Sequence, residues 1–195
     1  MNTLEFGSDI QGSSNMYLRV KQKGDKIQFR IAQNPTYVGK HFIKKQDGWS
    51  VPNCPRINSQ EECDMCEKYF EIMSSAKSAD KKEADELKKV ARDYAVSITF
   101  YFPVLNREEG KFGILQTTRG VRNKINEFYE NGTDVFSKDF VLRNTGSDSP
   151  KDLYSLTIVD SSDTPPLTEE EEAELKKAKE FDMSTINDGT EDEIE

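Results

Sequence analysis

Residues 94–105 run YAVSITFYFPVL, the strongest strand signal in the chain. β-Branched and aromatic side chains dominate it, as in half-buried strands. Period-two alternation puts Tyr94, Val96, Ile98, Phe100 and Phe102 on one face. Ala95, Ser97, Thr99 and Tyr101 take the other. The following NREEGK is a turn, and KFGILQTT (111–118) pairs back. RGVRNKINEFY (119–129) has a helical period, with Val121, Ile125 and Phe128 inward. Asn131-Gly132 ends that helix. Two more strands follow, FVLRNTG (140–146) and LYSLTIVD (153–160).

Working upstream, residues 16–33 hold two short alternating runs around Lys23-Gly24-Asp25. Tyr17, Leu18 and Val20 in one, and Ile27, Phe29 and Ile31 in the other, fit a hairpin. Residues 37–51 continue with aromatic and basic residues and a turn at Asp47-Gly48. From 61 to about 92 the period becomes helical, with a break expected at 74–78. Met65, Tyr69, Ile72 and Met73 form one stripe; Ala84, Leu87 and Val90 or Ala91 form a weaker one. The expected fold class is mainly β with an α insertion. Six short strands, with one helix before the last two, suit an oligonucleotide-binding (OB) barrel elaborated at residues 52–92.

The chain has 195 residues, 34% hydrophobic and 32% charged, with net charge −9. The acidity is not uniform: residues 161–195 carry 13 acidic and 3 basic side chains, leaving 24 basic against 23 acidic in 1–160. The body is near neutral. Residues 161–195 are therefore expected to be a disordered acidic tail that recruits partner proteins, in which LTEEEEAELKKAKEF (167–181) forms at most a transient helix. Residues 1–15 contain no Lys or Arg and are expected to be a flexible arm; 16–160 form the domain. No apolar run suits a membrane helix and no secretory signal is visible. A reducing cytoplasm is the expected compartment, where clustered cysteines bind metal more often than they pair.

His41, Cys54, Cys63 and Cys66 are spaced H-x12-C-x8-C-x2-C and include the only histidine and all three cysteines. Cys3His is a standard tetrahedral set for structural zinc. The C-x2-C pair opens a helix, whose N-terminus favours thiolates. Three buried thiols beside a surface histidine is the blander alternative. A redox pair lacks the βαβ context, and four protein ligands leave no position for catalytic water.

Aromatic and basic residues recur together, as they do where bases stack and phosphates are neutralised. The candidate contacts begin with Arg19, Lys21, Tyr37, Phe42, Lys44, Lys45 and Trp49. Arg92, Tyr94 and Tyr101 follow, then Arg107, Lys111, Arg119, Arg122 and Lys124, and finally Phe140 and Arg143. Strand alternation sends about half of the aromatics into the core. No acidic metal-ligand cluster or free nucleophile is visible, so a binding protein is expected rather than an enzyme. The rival reading is a zinc-stabilised protein-interaction or transcription-regulatory module.

These blocks together resemble the zinc-containing single-stranded DNA-binding (helix-destabilising) proteins of the T-even phage type. The resemblance runs from about residue 26 to 159. It rests on His41-Phe42-Ile43-Lys44-Lys45, Gly48-Trp49, Cys54 and Cys63-Asp64-Met65-Cys66. Tyr94, Glu109-Gly110-Lys111, Lys124-Ile125-Asn126 and Phe140-Val141-Leu142 add to it. It implies an OB fold with a zinc subdomain, one structural Zn2+ and non-specific strand binding in phage DNA replication, recombination and repair. It further implies a bacterial host cytoplasm and replication or recombination partners for the acidic tail; the chain itself is expected to be a monomer or weak oligomer. By position, Trp49, Tyr94 and Phe140 match family residues in or near the DNA cleft. The Cys54–Cys63 spacing is slightly short for the type. The family's basic N-terminal arm has no match, since Lys and Arg are absent before Arg19.

Overall fold

A computed structural model describes residues 16–45, 47–160, 162 and 164–188. The expected arm at 1–15 and the last acidic residues lie outside them. The chain is mixed α/β around a mostly sheet core, in two compact units. The first holds the described residues to 34, with 102–116 and 124–180; the second holds 35–101, 117–123 and those from 181.

In the first unit the strands are β1 (Tyr17–Leu18), β2 (Lys26–Ile31), the second half of β6 (Val96–Asn106), β7 (Lys111–Thr118), β8 (Asp139–Asn144) and β9 (Tyr154–Ile158). Their order is β1-β7-β6-β2-β8-β9. Antiparallel pairing sets Phe29 opposite both Asn106 and Phe140. Phe29, Phe140, Leu105, Val104, Ile114 and Leu115 are fully buried. Helix α4 (Arg119–Glu130) starts where β7 ends and sends Val121 and Ile125 inward. It ends in a Schellman motif: Thr133 N–H donates to Phe128 O, Gly132 N–H donates to Tyr129 O, and Gly132 takes φ 83°.

Two expectations change here. The sheet is open, not a closed barrel, and β9 is an edge. Closure would need the outer edge of β7, which has other partners. Tyr17 and Leu18 pair with it in parallel, and Phe112 N–H donates to the Glu174 carboxylate at 3.0 Å. β1 therefore forms no hairpin with β2. Gly113 makes room for it, since a Cβ there would lie 2.6 Å from Leu18 Cδ1.

The acidic segment is the second correction, because part of it is folded. Helix α5 (Glu169–Glu180) begins with a capping box: Glu171 N–H donates to Thr168 Oγ1, and Thr168 N–H donates to the Glu171 carboxylate. Leu175 and Ala178 are buried against Ala32 and Leu105, with Phe112 and Leu167 alongside. Gln33 donates to Ala178 O, and Arg107 lies 2.5 Å from Glu171. The helix itself is expected from sequence as a transient one; charge counting missed its docking because the two apolar anchors are spaced i, i+3 inside a Glu-rich run.

The docking has a pH signature. Burial pushes the Glu171 carboxyl up, but Thr168 N–H and the Arg107 guanidinium outweigh it and hold it low. Lys177 and the Phe112 N–H hold Glu174 low. A lowered folded pKa stabilises at pH above the ordinary glutamate value of about 4.3, and the stabilisation is lost as pH falls through the lowered value. The protection factors of α5 amides against hydrogen exchange should therefore fall on acidification below about pH 4.3. Unchanged protection down to about pH 3 would contradict the linkage.

In the second unit β3 (Thr36–His41) pairs antiparallel with the first half of β6, His41 opposite Val96. A hairpin follows, β4 (Ile43–Lys45) and β5 (Gly48–Ser50), turning where Gly48 takes φ 139°. Then come α1 (Pro55–Asn58), α2 (Asp64–Ser78) and α3 (Lys81–Arg92). The break between α2 and α3 falls at Ala79-Asp80, later than the serines suggested. Asp80 caps α3 by accepting from Lys82 and Glu83 N–H, which fixes the start of the helix there.

Candidate metal centre and exposed aromatic hairpin

Three local devices bring His41 and the cysteines together, all within the second unit. Residues 52–54 lie antiparallel to the end of β3: His41 N–H donates to Pro52 O at 2.9 Å, and Cys54 N–H donates to Gly39 O at 2.8 Å. Asn58 clamps the same glycine, accepting from Gly39 N–H at 2.8 Å and donating to Gly39 O at 3.0 Å. Gly39 is required, because a Cβ there would fall 2.6 Å from Ile57 Cβ. Cys63 caps α2 and Cys66 sits in its first turn.

All four side chains are buried, and their donor atoms lie within 4.8 Å of one another. Cys54 Sγ is 3.9 Å from Cys63 Sγ and 3.4 Å from Cys66 Sγ. His41 Nε2 is 3.3 Å from Cys63 Sγ and 3.7 Å from Cys66 Sγ. A disulfide would need about 2.05 Å. A tetrahedron with bonds of about 2.3 Å to sulfur and about 2.0 Å to nitrogen has edges of about 3.8 and 3.5 Å. The observed separations bracket those edges, so the donor set fits a four-coordinate metal.

The thiols differ in character. Burial and the sulfurs of Cys54 and Cys63 push the Cys66 thiol up to about 12. Burial also pushes Cys63 up, but the Cys66 and Met65 N–H groups and the neighbouring sulfurs outweigh it and bring its pKa below the usual thiol value. One thiolate is thus favoured, and the next needs a positive ion beside it. Metal uptake should release protons and weaken as pH falls.

The candidate contacts are dispersed. In the second unit Tyr37, Phe42 and Trp49 are 49%, 48% and 64% exposed. Lys44 stands directly across the hairpin from Trp49, and Lys45 is exposed beside it. Arg92 and Arg119 are exposed, and Arg122 is half-buried. Tyr94 is half-buried with Lys68 5.9 Å from its ring centre. In the first unit Arg19, Lys21, Lys111 and Arg143 are exposed. Lys124 donates to Tyr154 O.

Three candidates are interior and are corrected. Phe140 is fully buried, with the rings of Phe29 and Phe128 each at 5.8 Å. Tyr101 is buried in β6. The Arg107 side chain is 4% exposed, held by Asp139 at 2.8 Å and by Glu171. Strand alternation leaves the inward face undetermined, and the interior sheet claimed these residues. Sequence reasoning missed Asp139; a lone acid opening an apolar strand was the available signal.

No protein-family model matches the chain, and no curated protein matches it. No helix among the described residues is long and apolar enough to cross a membrane.

Proposed function

We propose that this chain binds single-stranded DNA without sequence preference and without catalysis, serving replication, recombination and repair in a cytoplasm. The observation that carries this is Trp49, 64% exposed and facing Lys44 across a two-stranded hairpin, with Phe42 and Lys45 beside it. Burying so large an apolar ring stabilises a chain, so leaving it in water favours a surface that stacks on a ligand. The lysines supply phosphate neutralisation.

The strand connectivity supports an OB reading. β2 with β3, then β6, β7, α4, β8 and β9, pair in the order of an OB barrel, with the seam between β7 and β9 open and α1–α3 inserted after the first strand. The resemblance to the T-even phage type agrees with both features. The ion is read as zinc because three thiolates and an imidazole are its usual structural set. When bound, it neutralises the thiolates and ties β3, residues 52–54 and α2 together. The acidic C-terminal residues are read as a site for replication or recombination proteins, and the chain as a monomer or weak oligomer.

The test is a titration of Trp49 fluorescence with an oligonucleotide at several salt concentrations, with duplex as control. Quenching should favour single strands, and affinity should fall steeply with salt as counterions are released. Trp49→Ala should weaken binding by about 1–3 kcal/mol. Equal affinity for duplex, or a flat salt response, would favour the protein-interaction module instead.

A further inference from the structure

His41 differs from the other three donors. It is 1% exposed, with Nε2 toward the sulfurs and Nδ1 buried without a hydrogen-bond partner among the described residues. A histidine that ligates a metal through one nitrogen ordinarily donates the other N–H to a carboxylate or carbonyl. That bond fixes the ring and raises the basicity of the ligating nitrogen. Here the backbone does the fixing: His41 N–H is bonded to Pro52 O, and the residue pairs with Val96. Orientation is secured, but the electronic support is missing. Cys63 is better served, with the N–H groups of Cys66 and Met65 at its sulfur.

We infer that His41 is the weak arm of the centre, so that the ion exchanges by release of the imidazole while three thiolates retain it. This rests on the zinc reading above and concerns how firmly the ion is kept. His41 ends β3 immediately before Phe42 and the β4–β5 hairpin. The arm that lets go is therefore the one joined to the exposed aromatics, and the centre serves as an adjustable tether rather than a sealed staple.

The test compares the full zinc-loaded chain with His41→Cys in transfer of zinc to a chromogenic chelator, with native mass spectrometry counting the ions. Both chains should bind one zinc. The natural chain should give it up about 10–100-fold more readily, the range seen when such supporting bonds are lost. Equal or slower release from the natural chain overturns the inference. Should His41→Cys fail to fold, long-range 1H–15N NMR of the natural chain decides. A fast-exchanging Nδ1–H supports the weak arm, and a slowly exchanging, hydrogen-bonded one overturns it. Absence of zinc uptake by the natural chain overturns the zinc reading itself, and the inference with it.

Discussion

Cys66→Ser is expected to abolish stable zinc binding at neutral pH and to melt the helices that follow β5. Cys66 is 4% exposed and its sulfur lies 3.4 Å from Cys54 Sγ. The apolar material around the centre is thin: among the described residues, Ile57, Met65 and Val96 pack against the three cysteines. Helix α2 buries just Cys66 and Ala76, and α3 just Ala84 and Ala91. Alanines bury little area, so hydrophobic burial alone gives this segment a small stabilisation. A structural zinc site supplies an apparent ~10–16 kcal/mol at neutral pH, comparable to the whole stability of a domain. Removing one thiolate should forfeit most of that. Circular dichroism of the full chain should lose helical signal, and a chelator acting on the natural chain should reproduce the loss. Unchanged helicity and Tm in Cys66→Ser would show that the cluster is only a packed set of thiols.

The second large effect is expected at Asp139. Its carboxylate is fully buried and holds two guanidinium groups, Arg30 Nε at 2.6 Å and Arg107 Nε at 2.8 Å. Arg107 reaches on to Glu171 and to Pro165 O, so the carboxylate indirectly supports the docking of α5. Asp139→Ala leaves two largely buried cations without their shared anion. Breaking a buried pair by removing one partner costs about 3–5 kcal/mol, far more than an exposed pair is worth. The loss should appear as a lower denaturant midpoint, with α5 amides losing protection first. A change below about 0.5 kcal/mol, as at an exposed site, would mean that the network is solvated. Truncating Arg30 alone should cost less, since Arg107 stays paired.

Much of this protein is legible from residue order alone. The strands at 94–105, 111–118, 140–146 and 153–160 announce themselves by β-branched and aromatic runs, and α4 by its stripe and its Asn131-Gly132 stop. The four metal donors are legible because ligand chemistry demands particular residue types, and the chain offers only one histidine and three cysteines, clustered together. Local chemistry of this kind needs no knowledge of the partner strand.

What tertiary structure alone decided is which face goes inward and which edge is taken. Alternation makes Phe140 and Trp49 equally plausible contacts; pairing with β2 buries the first, and a short hairpin leaves the second in water. Arg107 is basic in any sequence, but only Asp139, thirty-two positions away, turns it from a surface cation into an interior clamp. The acidic segment looks soluble by composition, yet Leu175 and Ala178 find an apolar seat on Ala32 and Leu105. The same seam leaves the sheet open, because the β7 edge that a barrel would close on is already satisfied by β1 and Glu174. Such outcomes depend on contacts between residues far apart in the chain, and no local period encodes them. The donor cluster was therefore readable beforehand, whereas which of Trp49 and Phe140 stays exposed had to wait for the fold.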